Sequence, residues 1–435
     1  MKSNTKLKII ILITLGILFA LAPKITINPS FITANSDVIN FDKENLKISA
    51  TTGKIHIDGN SGWTAFKAAG NCTGNGTISE PYVIEDLEID GEGSGNSILI
   101  ENSNVYFKIV NCTLYNAEWG SEAGIGLLNV TNSQLIGNNC SYSQLGIVFG
   151  DGWGGGSCYN NTLSGNIVNN NRGGILLSDS FNNTVSGNTA NNNTWCGIYI
   201  LACNYTVISG NTMNDNNMNG LHLAGNNSII SGNIMNDNNM HGMWIAYSYN
   251  NTFLRNTVNN NNWSGICLFD SNYNTISGNI LNNNEQGITL SGSYNNISGN
   301  TANNNNDDGI GITGNNNIIS RNTANNNNDY GIGLHYSNNN TITGNTANNN
   351  EYGIFLYISS YNTISGNSLI GNDECIFEAG CQGNIFKDND CTLTPSLNYL
   401  PSILIISITI VGISVFIIYQ NRKRFKRPQK DLEFL

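Results

Sequence analysis

A phrase of about 22 residues is repeated along most of the chain, and its period constrains the fold more than any other feature of the sequence. Each copy holds a Gly-Ile pair, a polar patch, and Asn-Thr-Ile-Ser-Gly-Asn or a close variant, followed by an Asn-rich turn. In the most regular stretch, both a glycine and an asparagine recur at this period. The glycines are Gly265, Gly287, Gly309, Gly331 and Gly353, and the asparagines are Asn279, Asn300, Asn322, Asn345 and Asn367. Because units repeated at a fixed period contact mainly their neighbours, the 435 residues predict one solenoid and not several globular cores.

Apolar residues alternate with polar ones inside each repeat. They lie one and three positions after the glycine, as in Ile332 and Leu334, and three positions before the closing asparagine, as in Ile364. This alternation indicates short strands with one buried face, and strands joined by Asn and Gly turns at this period predict an all-β parallel β-helix. Counted from Tyr82, about 12 coils are expected. A leucine-rich repeat has a similar period, but the sequence lacks its helical segments and dense leucine frame.

The closing asparagines predict ladders, since identical Asn side chains stacked coil on coil can hydrogen-bond along the solenoid. At these glycines, asparagines and strand positions, roughly from Tyr82 to Cys391, the chain resembles the right-handed parallel β-helix repeat family. That family includes the periplasmic protein NosD and pectate-lyase-like proteins that act on carbohydrate. The resemblance implies a right-handed single-stranded parallel β-helix, and it is specific for the fold but not for the function.

Two apolar segments flank the repeats. Lys2, Lys6 and Lys8 precede an apolar run at residues 9–21, which is the layout of an export signal. Residues 400–419 carry no charge and are long enough to cross a membrane, and the basic residues that follow place the C-terminus in the cytoplasm. The expected segments are a signal peptide or signal anchor at 1–34, a lead-in and N-terminal cap at 35–81 with a helical turn at 62–69, a β-helix ectodomain at 82–393, a transmembrane helix at 400–419 and a cytoplasmic tail at 420–435.

These segments predict a single-pass protein of the cell membrane with its repeats outside the cell, and in this arrangement the chain resembles archaeal surface proteins. Ten cysteines in an exported chain suggest disulfides, for which the near pairs are Cys196–Cys203, Cys375–Cys381 and Cys140–Cys158. Asn-x-Ser/Thr triplets predict a glycoprotein, although an Asn- and Thr-rich repeat also produces such triplets by composition. They occur, for instance, at Asn71, Asn129, Asn182, Asn250 and Asn339.

The charge of the chain excludes one class of partner. Only 11% of the residues are charged, the net charge is -11, and basic residues are sparse in the repeats. Since phosphate binding needs a basic patch, we expect no nucleic-acid partner.

The fixed period places equivalent side chains in columns, and the positions two before and two after each glycine should face outward. Trp195, Tyr199, Trp244 and Trp263 occupy these columns and offer flat apolar platforms on which sugar rings stack. We predict that they bind carbohydrate, either a surface or extracellular polysaccharide or a glycoprotein. Packing against a lateral partner or a loop is the alternative for these rings.

Further along the chain, the column two positions before each glycine becomes acidic, at Glu285, Asp307, Asp329 and Glu351. Carboxylates about 4.8 Å apart repel by roughly 1 kcal/mol in water and about 3 to 4 kcal/mol at an effective dielectric of 20. Because neighbouring carboxylates can share a hard cation, we predict a Ca²⁺ site at these four residues. A solvated acidic edge with splayed side chains is the alternative.

A third cluster is rich in sulfur and imidazole. Met213 and Met235 are expected to point inward, which leaves an outward group of Met218, Met240, His222 and His241. Such donors bind copper, and the resemblance to NosD implies a copper-linked accessory role. Near-duplicate neighbouring coils explain the clustering equally well.

Signatures of an enzyme are incomplete. Asp307-Asp308 resembles the paired aspartates of polygalacturonase-like hydrolases, but their Gly-His-Gly and Arg-Ile-Lys elements do not occur, and no Arg or Lys base of the lyase type has an obvious acidic partner. We therefore expect a glycan-binding, adhesive or structural surface protein rather than an enzyme. A polysaccharide lyase or glycoside hydrolase acting on acidic polysaccharide, and a NosD-like copper-linked accessory protein, are the alternatives.

Overall fold

The computed structural model describes residues 50–392 except 119, 121 and 151–155, and it is an all-β parallel solenoid. The solenoid has about 13 turns, close to the 12 predicted. Two 14-stranded parallel sheets and a third, narrower face enclose one hydrophobic core. The fold class predicted from the repeat is therefore confirmed.

Sheet 1 contains the strands that follow the register glycines, and sheet 2 contains the strands that precede the closing asparagines. The strands of sheet 1 are β2 (Ile55–Asp58), β5 (Ile98–Ser103), β8 (Ala123–Val130), β11 (Leu145–Phe149), β13 (Gly173–Ser178), β15 (Ile198–Leu201), β17 (Leu221–Ala224), β19 (Met243–Ala246), β21 (Ile266–Phe269), β23 (Ile288–Ser291), β25 (Ile310–Thr313), β27 (Tyr330–His335), β29 (Tyr352–Tyr357) and β31 (Glu374–Ala379). Those of sheet 2 are β3 (Tyr82–Glu85), β6 (Phe107–Val110), β9 (Ser133–Ile136), β12 (Thr162–Ser164), β14 (Thr184–Ser186), β16 (Val207–Ser209), β18 (Ile229–Ser231), β20 (Thr252–Leu254), β22 (Thr275–Ser277), β24 (Asn296–Ser298), β26 (Ile318–Ser320), β28 (Thr341–Thr343), β30 (Thr363–Ser365) and β32 (Ile385–Lys387).

Sheet 3 has four strands, β1 (Ala50–Thr52), β4 (Leu87–Asp90), β7 (Thr113–Tyr115) and β10 (Asn139–Cys140). After β10 this face continues as single parallel bridges, from Asn139 with Ile167 to Ser368 with Asp390. This face makes only one bridge per coil there. Its other backbone groups form their hydrogen bonds in the Asn-rich turns.

The register glycines allow successive coils to approach closely. A Cβ built on Gly287 would lie 2.4 Å from the backbone oxygen of Gly309 and 2.7 Å from the Cβ of Ala302. Distances this short exclude any larger residue without a backbone shift, which explains why glycine recurs at this position.

The closing asparagines form the predicted ladder. Both the backbone N–H and the side-chain amide of Asn256 donate to Oδ1 of Asn279, at 2.9 Å each, and the amide also donates to the Ile230 carbonyl at 2.9 Å. The same pattern recurs from Asn138 to Asn389. Each buried side chain thus satisfies backbone groups that the turn leaves without a strand partner.

An α-helix covers the first coils. Helix α1, Gly59–Ala68, begins three residues before the predicted helical turn, and its Trp63 is fully buried. The Trp63 ring stacks on Tyr82 at 5.1 Å and packs on Phe107 at 4.8 Å, and its Nε1 donates to Ser103 Oγ at 3.0 Å. The helix therefore shields the end of the core, as solenoid caps must. Strand β2 precedes it, so sheet 1 begins upstream of Tyr82.

The sequence suggests disulfides without giving their connectivity, and none of the three near pairs is bonded. In the described ranges one disulfide is formed, between Cys375 and Cys391, and the remaining cysteines there are free. Cys196 and Cys203 flank the four extended residues of β15, which alone span about 13 Å and exceed the Cα separation that a disulfide bridges. The two cysteines that do pair are 16 residues apart, less than one repeat, so the disulfide closes a turn of the solenoid.

The exposed asparagines of the five Asn-x-Ser/Thr triplets named above are compatible with glycosylation, which stays a prediction. Within the described ranges, no helix combines the length and hydropathy needed to cross a membrane. The predicted signal at 1–34 and span at 400–419 lie outside those ranges.

Candidate functional site on the outer face of sheet 1

The outer face of sheet 1 carries the side chains that the columns predicted. Trp195, Tyr199 and Trp244 are half-buried, and Trp263 is 52% exposed. We call these four rings, together with Phe269, the aromatic zone. Trp195 and Tyr199 lie on one coil, Trp244 lies two coils further along, and Trp263 and Phe269 lie on the coil after that. Backbone hydrogen bonds join neighbouring coils, as from the Trp263 N–H to the Met240 carbonyl at 3.1 Å.

Rings of the aromatic zone stack on one another in pairs. Trp195 and Tyr199 are stacked with centroids 4.6 Å apart, and Trp244 and Phe269 are stacked at 5.9 Å. Phe269 is 42% exposed and was not singled out from the sequence, since it lies four positions after its glycine and outside the two outward columns. Because the rings pack on one another, they form a pre-organised and partly exposed apolar surface.

Two histidines are packed among these rings. His222 lies 4.5 Å from the Tyr199 ring, whereas His241 lies 4.9 Å from Trp244 and meets Trp263 edge to face at 5.1 Å. His241 is 4% exposed, and neither of its ring nitrogens has a hydrogen-bond partner among the described residues. Burial lowers the pKa of both histidines to about 4, so both are neutral at pH 7.

The methionines are divided between the core and this face as predicted. Met213 and Met235 are fully buried in the core, and Met218 and Met240 are half-buried on the outer face. Met218 and Met240 lie on adjacent coils, joined by a hydrogen bond of 3.1 Å from the Met240 N–H to the Met218 carbonyl. We call Met218, Met240, His222 and His241 the soft-donor patch.

A notch two coils tall interrupts the outer face beyond the aromatic zone. On two adjacent coils, the outward position two residues after the register glycine is itself a glycine, Gly311 and Gly333. The two glycines pair with each other, and the same position is Thr289 on the coil before them and Phe355 on the coil after them. Since both lack a side chain, neighbouring groups lie over them. A Cβ on Gly311 would be 2.9 Å from Asp308 Oδ2. On Gly333 it would be 2.7 Å from the Tyr330 ring and 3.6 Å from Nε2 of His335.

Three carboxyl groups meet at this notch. One oxygen each of Asp307, Asp308 and Asp329 lies within 4.8 Å of the others, an arrangement in which they could hold a metal ion. Two of the four predicted Ca²⁺ ligands, Asp307 and Asp329, are thus brought together, while Glu285 and Glu351 lie outside the group. The Ca²⁺ assignment itself stays a prediction.

The separation of Glu285 and Glu351 from this group has a structural reason. The carboxylate of Glu285 accepts a hydrogen bond from Asn306 Nδ2 at 3.3 Å. Tyr352, and not Glu351, donates its N–H to the Asp329 carbonyl at 3.2 Å, so the acidic column shifts by one residue at this coil.

Asp308 was not among the predicted ligands, because it directly precedes its glycine and so lies outside the two outward columns. It is 6% exposed, and burial, together with the charges of Asp307 and Asp329, raises its pKa to about 8. Asp308 therefore holds a proton at pH 7. Its Oδ1 accepts a hydrogen bond from the Tyr330 N–H at 3.4 Å.

Aromatic and imidazole groups surround these acids. Tyr330 stacks on Phe355 at 4.1 Å, and Phe355 stacks on Phe377 at 5.1 Å. Burial and the Asp329 carboxylate raise the pKa of Tyr330. Burial lowers the pKa of His335, and the charge of Asp307 opposes this effect. The notch thus combines a protonated carboxyl, a tyrosine and a histidine, which are groups that transfer protons.

Comparison with known proteins identifies a family. The family model described as "Periplasmic copper-binding protein (NosD)" matches residues 70–262, 224–317 and 264–392. No curated protein was found to match.

Several solved structures are similar to the chain. The A-module of mannuronan C-5 epimerase AlgE6 from Azotobacter vinelandii has a TM-score of 0.49 and 14% identity, over 76% of this chain and 93% of that one. The periplasmic alginate epimerase AlgG has a TM-score of 0.39 and 17% identity, over 72% and 76%. PfbA, a surface adhesin of Streptococcus pneumoniae, has a TM-score of 0.40 and 12% identity, over 67% and 83%. At these values the likeness says nothing about function.

The copper named in the family description fits one part of the described chain. Thioether sulfur is a soft donor and neutral imidazole is a borderline one, both suit copper better than hard cations, and the soft-donor patch supplies both. The three carboxyl groups at the notch prefer other metals, since oxygen ligands suit hard cations such as Ca²⁺. The soft-donor patch, and not the notch, would therefore hold copper.

Proposed function

The chain belongs to the NosD family, and we propose that it recognises polysaccharide chains along the outer face of sheet 1. The observation that carries this proposal is the aromatic zone, in which five partly exposed rings lie on three of four consecutive coils of one face. A polysaccharide repeats along its length as the solenoid does, so successive sugar rings can stack on successive platforms. The low content of basic residues argues against an anionic polymer held by charge alone.

A glycan array probed with the full-length protein tests the proposal. Binding is expected for at least one polysaccharide, and Trp195→Ala or Trp244→Ala should reduce it tenfold or more. Tyr294→Ala is the matched control, because Tyr294 is 52% exposed and stacks on Tyr273 at 5.0 Å but lies in the turn before β24 and not on sheet 1. Arms with Ca²⁺ and with a chelator test the predicted cation. The proposal is wrong if nothing binds, or if binding survives both tryptophan substitutions.

A second candidate function, glycoside hydrolysis, is favoured by the notch. Hydrolysis of a glycosidic bond needs one carboxyl group that donates a proton to the leaving oxygen and a second, ionised one. The pKa of about 8 assigns the first role to Asp308, with Asp307 or Asp329 in the second. Carboxyl oxygens within 4.8 Å of one another are closer to the separation of retaining enzymes, about 5 to 5.5 Å, than to that of inverting enzymes.

Release of new reducing ends from acidic polysaccharides tests this second function. The wild-type protein should release them with retention at the anomeric carbon, and Asp308→Asn should abolish the release without loss of glycan binding. Asp373→Asn serves as the control, since Asp373 is an exposed acid that follows Glu351 in the acidic column and lies outside the notch. A wild-type protein that binds a polysaccharide and releases no products would exclude catalysis and leave recognition standing.

We further propose that the protein is anchored in the cell membrane through residues 400–419, with the solenoid outside the cell. The support is the sequence alone, an uncharged segment of 20 residues followed by a basic tail. Deletion of residues 400–435 should move the protein from the membrane fraction to the medium, and externally added protease should remove the solenoid from intact cells. Retention of the truncated protein in the membrane fraction would contradict the anchor.

A further inference from the structure

A cavity of about 430 Å³ lies at the corner where sheet 1 passes into sheet 2. Its lining comes from four consecutive coils, at the ends of the strands β13 to β19 of sheet 1 and in the turns that follow them. Small-molecule sites have volumes of about 300 to 1,000 Å³, so this cavity suits a small group and not a stretch of polymer.

The cavity forms because one coil is shorter than its neighbour at this corner. One residue, Cys203, separates Ala202 from Asn204. On the next coil Gly225 is followed directly by Asn226, which occupies the position of Asn204. The shorter turn lies so close to the preceding coil that a Cβ on Gly225 would be 1.8 Å from the Cys203 carbonyl oxygen. Since Ala202 adds only a methyl group, two adjacent coils leave the corner open.

Tyr247 connects the cavity with the aromatic zone. It lines the cavity and meets Phe269 edge to face at 5.5 Å, and Phe269 stacks on Trp244 at 5.9 Å. Leu201, another lining residue, ends the strand β15 that carries Tyr199. A sugar ring that stacks on the aromatic zone therefore lies beside the cavity, and its substituents can enter it.

Three polar side chains in the lining determine which substituent fits. Asn204 and Asn226 already use their Oδ1 atoms, which accept the backbone N–H of Asn226 at 2.7 Å and of Tyr249 at 2.8 Å. Neither side-chain amide donates a hydrogen bond to another described residue, so both are left as donors. Asp179 supplies an acceptor, since Ser178 Oγ donates to its Oδ2 at 2.9 Å and Oδ1 is left for a ligand.

An acetamido group matches this lining. Its N–H can donate to a carboxylate, its carbonyl oxygen can accept from amide N–H groups, and its methyl group needs an apolar wall, which Leu201, Ala202 and Ala224 provide. A hydroxyl group would leave that wall in contact with water. A sugar carboxylate or sulfate would be repelled by Asp179, and none of the described residues that line the cavity is basic.

We infer that this cavity binds the acetamido group of an N-acetylated amino sugar. The inference rests on the proposed recognition of polysaccharide and names the class of sugar that is recognised. In this arrangement the aromatic zone contacts the faces of the sugar rings, and the cavity selects the substituent.

One variant removes an amide donor and keeps the backbone contact. Serine holds the position of Asn226 on another coil, where Ser293 Oγ accepts the Asn315 N–H at 3.0 Å. Asn226→Ser should therefore fold normally. Asn338→Ser is the matched control, because Asn338 accepts the Ser360 N–H in the same way on a coil that does not line the cavity.

A second variant fills the cavity. Ala202 directly follows its strand of sheet 1 with φ of 52°, and Tyr247 and Tyr336 occupy the same position on other coils with φ of 50° and 51°. The backbone of Ala202→Tyr is therefore one that tyrosine already adopts in this chain. Ile358→Tyr is the matched control, since Ile358 has φ of 49° at this position and lies outside the cavity.

Two trisaccharides that differ only in one substituent of each ring test the inference. Tri-N-acetylchitotriose carries acetamido groups where cellotriose carries hydroxyl groups. Isothermal titration of the full-length protein in detergent should show at least tenfold tighter binding of the acetylated trimer. Asn226→Ser should reduce this preference fivefold or more and Ala202→Tyr should abolish it, whereas Asn338→Ser and Ile358→Tyr should retain it. Saturation-transfer NMR should show contact with the acetyl methyl groups, lost in Ala202→Tyr.

Equal affinity for the two trimers, or a preference that persists in Ala202→Tyr, would overturn the inference. So would the failure of either trimer to bind. Glycan recognition itself would still stand if another polysaccharide on the array bound in a manner that depends on Trp244, so the two proposals can fail separately.

Discussion

The carboxyl group of Asp308 lies over Gly311, so close that a Cβ on this glycine would be 2.9 Å from Asp308 Oδ2. The contact joins two residues of one coil that are three positions apart. It exists because the outward column, which holds Thr289 and Phe355 on the flanking coils, has no side chain at Gly311 and Gly333. The buried acid thus occupies space that a side chain takes elsewhere on the face.

Gly311→Ala should destabilise the protein only slightly. The single close contact is the end of the Asp308 side chain, which can move, and the cost should be about 1 kcal/mol. Gly225→Ala is the contrasting variant, since its Cβ would lie 1.8 Å from the backbone oxygen of Cys203, and it should cost about 3 kcal/mol or more. Denaturant unfolding of both variants measures the difference. Equal costs would show that the Asp308 side chain cannot move away from position 311.

Asp308→Asn should change how stability depends on pH. Burial raises the pKa of Asp308 from 3.8 to about 8, so the folded state binds more protons than the unfolded state between these values. The contribution of Asp308 to stability therefore falls as the pH rises from about 4 to 8, by at most about 1.4 kcal/mol per pH unit. Unfolding should be measured for both proteins at pH 5 and at pH 8. The free energy of unfolding of the variant should exceed that of the wild type clearly at pH 8 and only slightly at pH 5. An identical pH dependence in both proteins would contradict the raised pKa.

Asn256→Ala should be strongly destabilising. The substitution leaves the N–H and side-chain amide of Asn233 without the Asn256 Oδ1 acceptor, and the Ile230 carbonyl without its donor. Unsatisfied buried groups of this kind predict a loss of about 2 to 4 kcal/mol. Asn262→Ala, which removes one exposed hydrogen bond to Asn239, should cost less than about 0.5 kcal/mol. Thermal unfolding compares the two, and similar losses would show that the ladder adds nothing to stability.

Trp63→Ala should open the N-terminal end of the solenoid. It removes a fully buried ring that stacks on Tyr82 and packs on Phe107, at a cost of about 3 to 5 kcal/mol. Because solenoid coils contact mainly their neighbours, hydrogen exchange should rise in the first coils and stay unchanged around β21 to β31. Trp63→Phe keeps the ring but loses the hydrogen bond to Ser103, so it should give a smaller effect. A uniform rise in exchange along the whole chain would contradict a local cap.

Much of the fold follows from the sequence because the period of the repeat also sets the spacing of the backbone hydrogen bonds. The inward positions of Ile332, Leu334 and Ile364 and the asparagine ladder follow from that period, and the structure confirms them. The division of the methionines between core and surface follows for the same reason. Sheet 1 begins upstream of Tyr82 because β2 pairs with β5, a contact that the repeat pattern does not contain.

The candidate sites could be predicted only in part. Trp195, Tyr199, Trp244 and Trp263 lie on one face, as their column indicates, but the stacking of Trp244 on Phe269 depends on side-chain size and rotamer. Two of the predicted calcium ligands meet at the notch, and the acid that completes the group is Asp308. On other coils, uncharged residues precede the register glycine. The repeat pattern therefore does not predict a buried carboxyl group at this position.

The sequence by itself determined the solenoid, its sheets and the direction in which each repeat position points, because a fixed period repeats one backbone geometry. Only the tertiary structure decided the depth and contacts of the side chains at those positions, since these depend on the volume of residues on adjacent coils. For example, the glycines beside Asp308 leave room for its carboxyl group, and the tryptophans around His241 bury its ring. The disulfide between Cys375 and Cys391 also depends on the tertiary structure, because one turn of the solenoid brings together residues that are 16 positions apart.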